Sequence, residues 1–280
     1  GISYVSEEQA RINLEKELAH WNFDRVKEDA FAEWNRELGK ITVEGGSEEE
    51  KIKFYTDLWH SLLGRHTFSD FNGKYIDNTG EEPVVRQVPL DNGTPTRNTY
   101  NSDAFWGSEF NLNILWSIAY PKVMSEFVST LVDYYTNGGM IARGPSGGNY
   151  TYVMVGDQAT PLIAAAYNKG IRDFDIESAY QGCLKNSEPG GIRDYVGYKT
   201  NPGNFMQQYV DKGFVPEPTT KSPHAEGCAM TLYFAYEDWC MAQFAKGLEK
   251  EDVYRKYLQR SFNYRYVYDG CVRVQRMVLG

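Results

Sequence analysis

The sequence predicts an all-α chain whose helices pair into an α/α toroid, with short peripheral strands and long loops. Three observations carry this prediction. Apolar residues recur at i, i+3 and i+4 along most of the chain. The connections between those segments are alternately short and long. Strand-like stretches are few and short.

Taken in order, Ser6 with Gln9 three residues on reads as an N-cap and capping-box pair, and Ile12, Leu14, Leu18 and Trp21 broadly follow a helical stripe. A second helix is expected over Asp24 to Leu38, with Val26, Ala30, Phe31 and Trp34 on one buried face and Gly39 as its C-cap. Ile41-Thr-Val43 reads as a short extended piece. Ser47 followed by Glu48, Glu49 and Glu50 starts a third helix, in which Phe54, Tyr55, Leu58, Trp59, Leu62 and Leu63 share a stripe. From His66 to Asn101, Gly, Asn, Asp and Pro dominate, and Asn72-Gly73 and Asn92-Gly93 mark turns, so this stretch is a functional loop or irregular hairpin structure. Helices return at about 104–119 and 122–137, the latter closed by Asn137-Gly138-Gly139. After a Gly/Pro-rich loop from Ala142 to Tyr152, helices follow near 157–169, 174–186, 225–247 and 251–264, with 187–224 loop-rich.

Composition narrows the function. The 280 residues are 41% hydrophobic, which supports a large core and excludes disorder. They carry 29 Lys and Arg against 38 Asp and Glu, a net charge of −9. Sequence-independent binding of nucleic acid needs a basic face, so nucleic acid is not an expected partner. No apolar run reaches the roughly 20 residues of a membrane span, so no membrane is expected either. Glu7 and Glu8 stand where a signal peptide would be apolar. Cys183, Cys228, Cys240 and Cys271 are far apart with no C-x-x-C, which reads as buried free thiols rather than a zinc or redox site. Asn92-Gly-Thr94 and Asn149-Tyr-Thr151 match the glycosylation triplet, a pattern too common to carry weight. The 21 Tyr and 6 Trp stand out. Their flat faces and polar edges suit stacking on sugar rings, although a large helical core with amphipathic rims explains them more plainly.

The densest polar and aromatic segment is Asn101-Ser-Asp103-Ala-Phe105-Trp106-Gly-Ser-Glu109-Phe-Asn111-Leu-Asn113. On one reading Asp103, Trp106 and Glu109 line a site for a polyhydroxylated ligand. On the other, Asp103 is an N-cap and Trp106 is core. Six residues separate Asp103 from Glu109, so a helix would not pair them as acid and base. The loop from Arg143 to Tyr152 is glycine-rich but lacks the Lys-Ser/Thr ending of a phosphate loop and follows a helix, which excludes nucleotide binding by that motif. Arg143 and Tyr152 are candidate sugar contacts there. Asp157 reads as a helix cap. His224-Ala-Glu226 could bind metal or shuttle protons, but one pair lacks the third ligand of a zinc site. Glu237 and Asp238, adjacent on one helix, should point apart, one of them to solvent.

At these residues the sequence resembles glycoside hydrolase family 92, the bacterial exo-acting α-mannosidases. The resemblance runs in order through Gly1-Ile-Ser-Tyr-Val-Ser6, Ala10-Arg-Ile-Asn-Leu14, Phe23-Asp24, Trp34-Asn35, Phe54-Tyr55-Thr56 and Ser69-Asp70-Phe-Asn72-Gly73-Lys-Tyr75. It continues through Val153-Met154-Val155-Gly156, Ala166-Tyr167-Asn-Lys169-Gly170-Ile171, Phe174-Asp175, Ala235-Tyr236-Glu-Asp238-Trp239-Cys240, Arg260-Ser261-Phe-Asn263-Tyr264-Arg265 and Tyr268-Asp269.

The resemblance implies a six-hairpin α/α toroid behind a β-sandwich, and inverting, calcium-dependent hydrolysis of terminal α-linked mannose. It also implies a mannose-containing glycan as substrate and a periplasmic, surface-attached or secreted location. In such enzymes one glutamic acid protonates the leaving oxygen, an aspartate pair activates water, and calcium holds sugar hydroxyls. Two departures stand out. Gly107 follows Trp106 where the family often has Trp-Asp, and the Glu-Gly-Asn, Gly-Asn-Glu-Pro and Gly-Asn-Asp motifs of the acid, base and calcium ligands are missing. After Asp269 the motif resemblance stops.

The resulting expectation is the middle third of a mannosidase, inactive alone. Residues 1–46 would be linker helices after a missing sandwich, and 47–280 the N-terminal part of the toroid. Asp103, Trp106, Glu109, Arg143, Tyr152 and His224 would touch sugar, with calcium ligands outside the chain. Half a toroid should expose apolar helix faces, or cover them in a homodimer. Two alternatives are a non-catalytic carbohydrate-binding or structural helical module, and another toroid enzyme using Asp103, Glu109 or Glu226.

Overall fold

The computed structural model describes residues 1–102, 106–196, 203–216, 226–269 and 274–275. It is mostly helical, with only short two-stranded ladders, as the periodicity predicts. Its contacts divide it into two compact units, Gly1–Ala104 and Phe105–Gly280.

In the first unit, α1 (Glu7–Glu17) and α3 (Glu48–Leu62) start where the capping serines place them, and α2 (Phe23–Leu38) starts one residue before the expected Asp24, capped by Asn22. The Ser6 hydroxyl accepts from the Gln9 N–H at 3.2 Å. Ser47 and Glu50 form a reciprocal capping box. Asp70 is buried and accepts from Ser3 and Asn13, both at 2.8 Å, tying the start of the chain to the first turn after α3.

The 66–101 stretch is hairpin structure. β1 (His66–Thr67) pairs with β6 (Tyr100–Asn101), β2 (Lys74–Asp77) with β3 (Val84–Gln87), and β4 (Leu90–Asp91) with β5 (Thr94–Pro95). Asn92 and Gly93 take φ of 48° and 81°, the left-handed pair that closes a two-residue hairpin. Ile41 to Val43 joins no strand. The expected buried face of α2 is not buried. No residue of that helix lies in the core, and Phe31 is 69% exposed. Trp34 meets Trp59 of α3 edge-on at 6.1 Å, so the apolar stripe finds one partner and otherwise faces outward.

In the second unit the single helix expected at 104–119 is broken. Gly107 takes φ 82°, a 3-10 turn covers Ser108–Phe110, and Asn111 caps α4 (Leu112–Ala119). The helix α5 (Pro121–Gly138) opens on Pro121 and closes on left-handed Gly139. Its Met124, Phe127, Val128 and Leu131 are fully buried.

A hairpin, β7 (Pro145–Ser146) with β8 (Asn149–Tyr150), leads to α6 (Ala159–Asn168) and α7 (Ile176–Asn186). Within the loop-rich 187–224 region lies an unexpected helix, α8 (Phe205–Lys212), whose Phe205, Met206 and Tyr209 enter the core. The longest helix, α9 (Gly227–Gly247), packs on α6 and on α10 (Glu251–Arg260). A 3-10 turn over Ser261–Tyr266 then replaces the last turn of the helix expected at 251–264. With neighbours on both sides, α9 is buried around most of its circumference.

Candidate functional site

The site grows from the break after Trp106. Left-handed Gly107 turns the chain so that Trp106 stays half-exposed while the next residues fold inward. The Trp106 ring lies 6.4 Å from that of Tyr233, and Phe110 stacks on Tyr236 at 6.4 Å and 28°. Tyr233 and Tyr236 are three apart on α9 and therefore neighbours on its surface.

Between them Glu109 is 9% exposed. Its carboxyl accepts from the backbone N–H groups of Gly107 and Glu109, while Oε2 has no hydrogen-bond partner. Burial raises its pKa above the ordinary carboxylate value, against the pull of those two N–H groups. Burial likewise raises the Tyr233 phenol, with the Glu109 charge adding to it.

The second part of the site is the loop after β8. Arg143 is 2% exposed, and all five of its guanidinium N–H groups go to carbonyl oxygens. They reach Gly156 at 2.7 Å, Val153 at 3.1 Å and Met154 at 2.6 Å, as well as Tyr152, Ile192 and Tyr195. Burial lowers its pKa to about 10. Arg143, expected to touch sugar, has no donor left for one and instead shapes the loop from within. It holds Met154 at φ 70°, unusual for a residue with a side chain, and leaves Val153 and Met154 exposed. Tyr152 is partly buried and packs on Tyr195 at 5.0 Å.

Below both parts lies a buried ionic network that the sequence did not reveal. Arg193 is fully buried and donates to Asp238 Oδ1 at 2.7 Å and to Ser187 Oγ at 2.9 Å. Its Nε lies 3.1 Å from Glu237 Oε2. Arg260 grips Asp238 with two donors, at 2.6 and 2.7 Å, a bidentate geometry. Glu237 accepts from the Asp157 N–H. Burial pushes its carboxyl up to about 8, with Arg193 opposing that shift.

Neither Glu237 nor Asp238 meets solvent, contrary to the expectation that one would. α9 is covered on both flanks, by the start of α6 and by α10, so adjacent acids can point apart and both stay buried. Asp157 accepts from Thr160 at the start of α6, the capping role predicted for it, and also from Asn186 at 3.2 Å.

The two parts meet at Tyr233 and Glu237, one turn apart on α9. A Cβ on Gly156 would overlap the Glu237 carboxylate and come within 3.2 Å of the Tyr233 ring. Trp106 and Glu109 thus share the Tyr233–Tyr236 face, and Arg143 and Tyr152 share the loop beside it. Asp103 and His224 lie outside the described residues. Tyr233 carried no motif of its own. Its signal was its spacing from Tyr236.

The family model for the glycosyl hydrolase family 92 catalytic domain matches residues 9–277. The chain belongs to family 92. The match passes Asp269, where the motif resemblance stops, by eight residues (277 − 269). An inverting family 92 mannosidase of Bacteroides thetaiotaomicron superposes on 99% of this chain and 35% of its own length, with a TM-score of 0.85 and 27% identity. A family 92 α-mannosidase of the same organism superposes with a TM-score of 0.84 and 26% identity, covering 99% of this chain and 34% of its own. An uncharacterized secreted glycosidase of Arthroderma benhamiae is 25% identical over 95% of this chain and 29% of its own length. The chain therefore spans about a third of the relatives it matches, and its helices are of the helical toroid-like kind.

Family 92 implies calcium, and the described residues do not fit one. Among them no three His, Cys, Asp or Glu side chains gather to hold a metal ion. Asp157, Glu237 and Asp238, which gather around Arg193, are committed to Arg193 and Arg260.

Proposed function

We propose that these residues are the sugar-holding part of a family 92 α-mannosidase catalytic domain, recognising terminal α-linked mannose but not hydrolysing it alone. The observation that carries this reading is the likeness over 99% of the chain, at a TM-score of 0.85, to an inverting mannosidase. The Trp106, Phe110, Tyr233 and Tyr236 rings around a buried carboxyl are the kind of apolar surface with one fixed polar group that holds a sugar ring. We assign residues 1–46 to linker helices and 47–280 to the toroid, and place Trp106, Glu109 and Tyr152 at the sugar. Asp103 and His224 stay in the proposal from sequence alone.

Inverting hydrolysis needs two carboxyl groups about 6.5–9.5 Å apart across the scissile bond. Glu109 is a carboxyl with a raised pKa beside these rings, and the family's acid, base and calcium motifs do not occur in the sequence. The inverting, calcium-dependent reaction is accordingly assigned to a larger assembly of family 92 elements. The test is calorimetric titration of the purified chain with α-mannobiose, paired with a mannose-release assay with and without calcium. Saturable binding without release is expected. Robust calcium-dependent release would overturn the inactivity, and preference for a glycan lacking mannose would overturn the substrate class.

A further inference from the structure

The sequence holds three Asn-Gly pairs, Asn72-Gly73, Asn92-Gly93 and Asn137-Gly138. Each carries the same latent chemistry. The glycine amide nitrogen can attack the asparagine Cγ, forming an N–C bond and closing a cyclic imide. The Cγ–Nδ2 bond breaks, and ammonia leaves with the proton that the glycine nitrogen gives up. Water then opens the imide at either carbonyl, leaving aspartate or isoaspartate. Glycine favours the attack because it has no side chain to shield the nitrogen and its backbone turns freely.

The fold treats the three pairs differently. Gly73 is buried, and its N–H donates to the Asp70 carbonyl at 2.7 Å. The Asn72 amide is fixed at both ends, donating to Gln9 Oε1 at 2.6 Å and accepting from the Lys74 N–H at 3.1 Å. Nucleophile and electrophile are both held there. Asn137 and Gly138 lie in the last turn of α5, where N–H groups point along the helix axis to carbonyls one turn back. Attack at that pair requires the turn to unwind.

Asn92 and Gly93 are exposed and form the tip of the β4–β5 hairpin. Among the described residues nothing accepts from the Gly93 N–H. The Asn92 side chain makes one hydrogen bond, Nδ2 donating to Asp91 Oδ1 at 3.1 Å on the surface. A Cβ on Gly93 would meet nothing within 4 Å, so no packed neighbour bars the tip from moving. Turning the Asn92 carboxamide onto the Gly93 nitrogen therefore disturbs only a ladder of two residue pairs.

We infer that Asn92 is a self-modification site, converted in the folded chain to aspartate and isoaspartate by attack of the Gly93 nitrogen, while Asn72 and Asn137 are protected. The selectivity belongs to the fold, since the sequence offers the same pair three times. The aspartate product sets a second carboxylate beside Asp91, and isoaspartate adds a backbone carbon to a turn whose register depends on two left-handed residues. Thr96 ties the base of the hairpin to the Pro89 carbonyl through its N–H at 2.9 Å and its hydroxyl at 3.0 Å, which confines the change to the tip. This inference is independent of the mannoside reading.

The test is peptide mapping by mass spectrometry of the purified chain, sampled over time in mildly alkaline buffer, with a parallel sample in guanidinium chloride. Exchange of the amide nitrogen for oxygen marks each converted site, and chromatography separates aspartate from isoaspartate. In the folded chain, conversion at Asn92 should outpace that at Asn72 and at Asn137 by about tenfold or more, because those two react only from locally opened states. In denaturant the three rates should converge. Intact Asn92 in the folded chain, or loss of Asn72 or Asn137 at a similar rate, would overturn the inference. A ranking unchanged by denaturant would overturn it too, since the sequence and not the fold would then set the selectivity.

Discussion

Gly156 cannot carry a side chain. Its φ is 81°, and a Cβ would overlap the Glu237 carboxylate that receives the Asp157 N–H. Gly156→Ala should therefore cost about 2 kcal/mol or more in urea denaturation, the sum of backbone strain and displacement of a buried acid. Arg193 is a sharper case because it faces Asp157, Glu237 and Asp238 at once. Breaking a buried pair on one side costs roughly 3–5 kcal/mol. Arg193→Met should fall at the lower end, since Arg260 still holds Asp238 and the Glu237 carboxyl, already pushed up to about 8, can take a proton.

Glu109 gives a pH signature. Its pKa is raised in the folded chain, so the folded state binds the proton more tightly than the unfolded state does. Its contribution is full below the ordinary carboxylate value and is lost as pH rises through the folded one. The stability of Glu109→Gln relative to the unmutated chain should therefore increase from acid to neutral pH, read from melting temperatures. A difference that shrinks over that range would contradict the burial argument.

Elements were legible where local chemistry sets them. Ser6 and Ser47 marked α1 and α3 to the residue, because a hydroxyl satisfies an N–H that the first turn leaves free. Ser47→Ala should cost about 1 kcal/mol of stability by removing one half of that box, with Glu50→Ala removing the other. Asn92-Gly93 gave its hairpin for a similar reason, since two left-handed residues in a row leave few alternatives.

Elements set by the tertiary structure were not legible. α8 is too short and polar to stand out, and Phe205, Met206 and Tyr209 earn their helix only against Met230 and Phe234 of α9. The helix expected at 104–119 failed at Gly107, whose left-handed conformation no stripe reveals. For α2 the stripe was right and its burial was not.

At the scale of the whole molecule, several large apolar side chains lie outside the core. Trp21, Phe23, Phe31 and Ile52 are exposed in the first unit, and Phe110, Ile114 and Ile118 in the second. That exposure predicts self-association: light scattering should show a mass that rises with concentration, and Phe31→Ser should reduce the rise. The mass of a single chain at every concentration would count against any homodimer.

Of the residues proposed to hold sugar, Trp106 and Glu109 stand out in the sequence because an indole and acids are unusual together in one short segment. The Arg193 network does not, since its members are scattered from Asp157 to Arg260 and meet only when α9 is covered on both flanks. Nor does the role of Arg143, whose neighbours are carbonyl oxygens that no sequence pattern displays.

The function proposed for this chain is to hold an α-mannoside without cleaving it. One titration decides it most directly: α-mannobiose into the purified chain, with free mannose measured in the same cell at the end. Saturable heat and intact disaccharide are expected. Either flat heat or stoichiometric free mannose would contradict it.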